Sequence, residues 1–323
     1  MQWAPAELIE SLTLTVKSSR RVGWAEVKQV KLMTSALAAS ENLYGGGMAG
    51  EAGAAHLRWA GRLLGARAST AVEAGMFEAV GNLAGVVAFS AFDVGDHEAA
   101  ARCFRFGLWC SEQGGSWELR AAILADMARQ AIYLGNWDEA LSLIEFAQVR
   151  ADRLTATARA MIGVVRARLL AVLGRHGEAR AEVGRADACF AQRQPEIDPP
   201  WLVYYDEAEH AGSSAQALIP LAVADKQPGD AAERLVSAIR AHSDAYPRSR
   251  AFSRARLATL HMTIGDPREA VLLGRQVVDD AAMLHSRRMD QELAKLVRAS
   301  RQHRAIPEVA EFSALVKSGT TDV

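Results

Sequence analysis

One phrase recurs four times along this chain: an apolar helix end, a glycine, a polar turn, and an alanine five residues beyond the glycine. It runs from Val94-Gly95-Asp96-His97 to Ala100 and returns as Leu134-Gly135-Asn136-Trp137-Asp138-Glu139-Ala140. It recurs as Leu173-Gly174-Arg175-His176-Gly177-Glu178-Ala179 and as Ile264-Gly265-Asp266-Pro267-Arg268-Glu269-Ala270. The glycines are 40, 39 and 91 residues apart, the last interval being about two periods. Glycine ends a helix because the position after the last turn favours a left-handed backbone. Asp, Asn or Pro opens the next helix, with a carboxylate near its positive end. The small alanine lets two antiparallel helices approach closely. A helical hairpin of this kind cannot bury its own apolar face, so hairpins stack.

Composition agrees. Alanine supplies 62 of 323 residues and aromatics only 7%, a balance that favours helices and excludes a β-sandwich or barrel. The predicted fold is all-α, an α-solenoid of stacked antiparallel helical hairpins. Helical period supports it locally. Leu119, Ile123, Met127, Ala131 and Leu134 share one face, as do Ala140, Leu143, Ile144 and Ala147. The predicted helices span 24–42, 49–65, 69–93, 97–113, 116–134, 137–151, 154–173, 177–192, 200–222, 230–243, 248–264, 267–284 and 287–302, with a short one near 307–317. Pro195, Pro199 and Pro200 force a loop, with a helix expected from Trp201. Pro228-Gly229 marks a turn, and the repeat between Gly174 and Gly265 reads as degenerate. Residues 1–23 read as a linker or the residual edge of a missing N-terminal domain, 24–317 as the helical repeat domain, and 318–323 as a frayed tail.

Charge and cysteine exclude several functions. Thirty-seven basic residues face 38 acidic ones, for a net charge of −1. That leaves no excess to neutralise a phosphate backbone, so direct nucleic-acid binding is not expected, nor is charge-driven membrane binding. Arg20-Arg21 and Arg287-Arg288 read as solvated faces. Cys103, Cys110 and Cys189 fit neither a disulfide framework nor a zinc site. Seven residues of helix separate Cys103 from Cys110 by about 10 Å, too far to bond. Packed thiols in a reducing compartment follow. The most apolar stretch, Val80 to Phe92, is shorter than the roughly 20 residues of a spanning helix, and the N-terminus lacks a signal-peptide pattern. A cytoplasmic protein is expected.

The repeat is similar in kind to the tetratricopeptide signature, Gly then Asp or Asn then Glu-Ala, with a longer period. At a finer level the chain resembles the C-terminal tetratricopeptide-like regulatory domain of XRE-type helix-turn-helix transcriptional regulators from GC-rich Gram-positive bacteria. The phrases that carry this are Arg21-Val22-Gly23, Leu43-Tyr44-Gly45-Gly46-Gly47, Gln130 to Gly135, Asp198-Pro199-Pro200-Trp201 and Tyr204-Tyr205-Asp206-Glu207-Ala208-Glu209. Toward the end come Arg248-Ser249-Arg250-Ala251-Phe252 and Leu284-His285-Ser286-Arg287-Arg288. The resemblance implies a right-handed superhelix, a role in transcriptional regulation, and a homodimer formed through 24–65 or 287–317. It does not carry over DNA binding, because the residues that would do it are not in this sequence.

Catalytic and metal motifs are sparse. Gly45-Gly46-Gly47-Met48-Ala49-Gly50 matches the GxGxxG spacing, but a helix precedes it where a dinucleotide fold needs a strand. It reads as a flexible interhelical turn. Asp206 and His210 stand four apart, and two ligands do not make a metal site. No metal and no cofactor are expected. The more informative expectation is a concave groove lined by first helices, with acidic and basic ends and tyrosine platforms. Its candidate residues are Asp126, Arg129 and Gln130 before Gly135, then Tyr204, Asp206 and Glu209 after the proline loop. Arg250 and Arg254, with Arg256, precede Gly265. The leading expectation is a non-enzymatic sensor or interaction module that takes a peptide, protein or small signal molecule and modulates transcription through a DNA-binding domain or partner. A protein–protein scaffold without a small ligand is the alternative, and an enzyme on an α-solenoid the remote one. A closed cavity with buried polar residues distinguishes the sensor from the open groove of a scaffold.

Overall fold

The computed structural model describes residues 21–319. Among them are fourteen α-helices and no strand, with a single β-bridge joining Arg21 to Arg67. In chain order the helices are α1 (Trp24–Tyr44), α2 (Gly46–Gly61), α3 (Thr70–Val94), α4 (His97–Gln113), α5 (Trp117–Leu134), α6 (Trp137–Gln148) and α7 (Ala156–Val172). They continue as α8 (His176–Phe190), α9 (Glu207–Asp225), α10 (Gly229–Ala241), α11 (Pro247–Ile264), α12 (Pro267–Ala282), α13 (Arg287–Ser300) and α14 (Pro307–Gly319). The expected linker lies outside the described residues up to position 20. Its last part is tied down, with Val22 N–H donating to the Arg67 carbonyl at 3.1 Å. The expected tail lies outside them from position 320, and α14 continues through Gly319.

The recurring phrase does what its chemistry requires. Gly95, Gly135 and Gly174 are left-handed, at φ +88°, +79° and +74°. Ala100, Ala140, Ala179 and Ala270 are all fully buried where paired helices cross. Gly265 differs: its φ is −116°, and the following Pro267 holds Asp266 extended, so the chain turns without a left-handed step. The repeat missing between Gly174 and Gly265 is also present. Lys226, at φ +55°, takes the glycine's place at the end of α9, and Ala231, five residues on, is buried at 2% exposure.

The largest displacement from expectation is α9. It begins at Glu207 and not near Trp201, because Asp206 supplies the better cap: its carboxylate accepts from Glu209 N–H at 2.9 Å. Pro200–Leu202 forms only a 3-10 turn.

Consecutive helices pack in pairs, α1/α2, α3/α4, α5/α6, α7/α8, α9/α10 and α11/α12. The first helices of successive pairs also touch, α1 to α3 and so on to α13, and the circuit closes because α11 meets α1 and α13 meets α3. The helix α3 is long and apolar enough by length and composition to cross a membrane, with mean hydropathy 1.4, and 56% of that stretch is buried within the fold. The apolar run seen in the sequence is its second half.

The closure has a polar hinge. Asp93, fully buried in the last turn of α3, accepts hydrogen bonds from Gly46 N–H at 3.1 Å, Arg248 at 2.8 Å, the Ser286 hydroxyl at 2.9 Å and Arg288 at 3.5 Å. Glu41 pairs with Arg248 at 3.1 Å. His285 N–H donates to the Tyr44 carbonyl at 2.9 Å, and Gly47 N–H to the His285 carbonyl at 3.3 Å. The glycine run is therefore a fitted contact and not a flexible turn. A Cβ on Gly45, which is at φ +83°, would stand 2.8 Å from the His285 carbonyl oxygen, and one on Gly46 would overlap the Ser90 carbonyl.

Candidate functional site

The closed circuit surrounds a central cavity of about 420 Å³. Each of the seven first helices supplies lining. Glu41 and Asn42 come from α1, Asn82 and Phe89 from α3, Asp126 and Arg129 from α5, and Arg168 from α7. Glu209 and Gln216 come from α9, Arg248, Phe252 and Arg256 from α11, and Arg288 from α13. The segment between α8 and α9 crosses one side, adding Pro200, Trp201 and Tyr204. Asp198, bonded at 2.6 Å to the Thr157 hydroxyl, anchors that segment to α7.

Five of the nine predicted residues meet here, Arg256 of α11 among them. Asp126 and Arg129, one turn apart on α5, form an ion pair, and Arg129 also reaches the Tyr204 hydroxyl at 3.4 Å. Burial raises the Tyr204 hydroxyl to about 12 despite Arg129. Burial also raises Asp126 against the pull of Arg129. Glu209 accepts from the Ser213 hydroxyl at 2.8 Å.

The other four are elsewhere. Gln130 donates to the His97 carbonyl at 3.1 Å and fixes α5 to the start of α4. Asp206 caps α9, and Tyr204 precedes that helix instead of lying on it. Arg250 bonds the His242 carbonyl at 2.6 Å and Asp244 at 3.0 Å, and Arg254 pairs with Asp280 of α12. The cause is angular. Each helical residue turns the side chain by about 100°, so the stripe Arg248, Phe252 and Arg256 faces the cavity while Arg250 and Arg254 face away. The pair Asp206 and His210 is not brought together: the His210 ring bonds the Tyr205 hydroxyl at 3.1 Å and Asp187 at 2.8 Å.

Glu41, Arg168, Arg248 and Arg288 were not among the predicted residues. Arg288 corrects the reading of Arg287-Arg288 as a solvated face. Its guanidinium stands over three rings, Phe89 at 5.3 Å, Phe92 at 4.7 Å and Phe252 at 5.1 Å from centroid. Arg248 and Arg256 approach the same Phe252 ring, at 5.6 and 5.5 Å. A signal existed for Arg248: it lies eight residues from the predicted Arg256 on one helical face, with Phe252 midway.

The electrostatics are unbalanced. Burial pushes the Glu41 carboxyl up to about 7, with Arg248 pulling the other way. Burial also opposes ionisation of Asp93, yet Arg248 and Arg288 hold it below the ordinary value. Arg168 is driven down to about 9 by burial and by Arg256 and Arg288 nearby. Arg288 is driven down to about 10 by burial, with Asp93 opposing.

No protein-family model, no curated protein and no solved structure matches this chain.

Proposed function

We propose that this chain is a non-enzymatic regulatory module that binds a small signal molecule in the central cavity and relays its occupancy to a DNA-binding domain or partner protein. In this reading the paired helices are a tetratricopeptide-like solenoid of right-handed sense whose two ends meet. The resemblance to XRE-type regulators supplies the expected output.

The observation that carries the reading is the origin of the cavity wall. All seven first helices, from α1 to α13, contribute to it, so one bound molecule touches both ends of the circuit and both sides of the closure. A ligand shifts a conformational equilibrium only by its differential contacts with the two states. A molecule that bridges α1, α3, α11 and α13 has such contacts with an open and a closed circuit. A volume near 420 Å³ falls in the range of small-molecule sites, which favours a small ligand over a protein segment. The buried polar wall favours the sensor over the scaffold.

Native mass spectrometry of the protein recovered gently from its source cells tests the reading. The expected result is extra mass of small-molecule size that is lost on denaturation. A bare chain, or one bound only to another protein, would overturn it and favour the scaffold. The same spectrum reads the proposed dimer.

A further inference from the structure

The cavity wall carries five arginines, Arg129, Arg168, Arg248, Arg256 and Arg288, against three carboxylates, Glu41, Asp126 and Glu209. The pairings are uneven. Asp126 is taken by Arg129, Glu41 by Arg248, and Asp93, behind the wall, by Arg248 and Arg288. Glu209 is turned to Ser213, and the nearby Glu292 is held by Lys295 at 2.8 Å. None of these comes within ion-pair distance of Arg168 or Arg256, though Glu292 acts on both from nearby and Glu209 on Arg256. Among the described residues neither arginine has an ion pair, and the buried Nε of Arg256 and the Trp201 indole N–H have no acceptor.

Such an arrangement is unfavourable in the empty protein. A buried donor without a partner loses its hydration with no return, and like charges in a low-dielectric pocket repel. Two guanidiniums that lack a direct ion-pair partner at a cavity wall are matched by an acceptor-rich anion. The planar guanidinium fork matches phosphoryl and carboxylate oxygens, each able to take two parallel N–H bonds. The remaining wall near them is aromatic, Phe252, Phe89 and Trp201, which suits an apolar or planar body.

We propose that the cavity binds a small molecule bearing a phosphoryl or carboxylate oxyanion, with Arg168 and Arg256 holding the anionic group. This rests on the reading of the cavity as a ligand site. The two arginines come from α7 and α11, so the anion bridges the middle of the chain to the closure. The ligand-free protein carries the repulsion, and the bound one relieves it.

The test titrates the full chain with inorganic phosphate and, separately, with malonate at constant ionic strength, read by calorimetry and thermal midpoint. A parallel titration uses the neutral fluorophore N-phenyl-1-naphthylamine. At least one oxyanion should bind saturably. Arg168→Gln and Arg256→Gln should each weaken it tenfold or more and leave the neutral probe unaffected. Arg168→Lys, which keeps the charge and loses the fork, should recover part of the affinity. Arg168→Met should raise the thermal midpoint of the ligand-free protein, a readout independent of any probe. Which oxyanion binds tighter decides between phosphoryl and carboxylate ligands. Oxyanion binding unchanged in the glutamine variants overturns the proposal. Binding of the neutral probe with neither oxyanion bound also overturns it and leaves the ligand-site reading standing. If neither kind of probe enters, both fall.

Discussion

Asp93 and Arg248 are 155 positions apart in sequence and hydrogen-bonded at 2.8 Å with both side chains buried. The contact joins the end of α3 to the start of α11 and makes a string of hairpins into a circuit. A stack of repeats whose members touch only their neighbours has stability that is nearly a sum over neighbouring units. Here the first and last units are neighbours as well.

Asp93→Ala removes the acceptor shared by Gly46, Arg248, Ser286 and Arg288 and leaves buried cations without it. Loss of one partner from a buried pair costs about 3–5 kcal/mol, and urea unfolding should show a loss of that order. Hydrogen exchange gives a local signature. Amides of Gly47 and His285 should exchange faster, while those inside α7 stay protected. A loss below about 1 kcal/mol would mean that the closure does not depend on this acid.

Glu41 gives the closure a pH dependence. Its folded-state value is raised, from an ordinary 4.5 to about 7, by burial, with Arg248, Asp93, Arg288 and Asp126 as the charges around it. The folded protein therefore binds a proton that the unfolded chain releases between those two values. Its contribution is intact below about pH 4.5 and is lost as pH rises toward 7, by up to about 3 kcal/mol. Glu41→Gln should remove this slope. Parallel stability curves for wild type and variant between pH 5 and 7.5 would refute it.

The glycines divide into two kinds. Gly46→Ala places a methyl against the Ser90 backbone carbonyl, and neither backbone can retreat, so a loss of about 2 kcal/mol is expected. Gly184, in α8, has open space where a Cβ would sit. Gly184→Ala should stabilise by about 0.5–1 kcal/mol through helix propensity. Thermal melts of the two variants should move in opposite directions.

Ala140→Arg overfills the crossing of α5 and α6, where Ala140 has no exposed surface. It should lower the thermal midpoint by several degrees or unfold the middle of the chain. An unchanged midpoint would show that the helices separate there at no cost.

Much of the helical order was legible because it is written locally. Gly135, Asn136 and Ala140 specify a helix end, a helix start and a close crossing within six residues. The repeat ending at Lys226 was hidden because a lysine there adopts the left-handed backbone that glycine adopts elsewhere; only Ala231 kept the register. The cavity was legible in part. Asp126, Arg129, Tyr204 and Glu209 were chosen as polar groups on first helices, and the fold brings them together. On α11 the candidates split between faces: Arg256 faces the cavity, whereas Arg250 and Arg254 sit on other faces of the same helix. The closure itself was out of reach. Its members, Tyr44 to Gly47, Asp93, Arg248 and Ser286 to Arg288, are distant in sequence and join only through the accumulated curvature of the intervening helices.

That distance has a consequence for biosynthesis. At about 5–20 residues per second, Asp93 leaves the ribosome roughly 8–31 s before Arg248. Throughout that interval the early hairpins hold an acid whose counter-charges have not been made. Helices α3 to α10 can pair as they emerge, but the wall cannot close until the strand of nascent chain carrying Ser286 and Arg288 returns to the place where synthesis began. Truncated chains ending before Arg248 should therefore expose the wall that the finished molecule gathers around its pocket, and quality-control proteases would meet them as a different substrate.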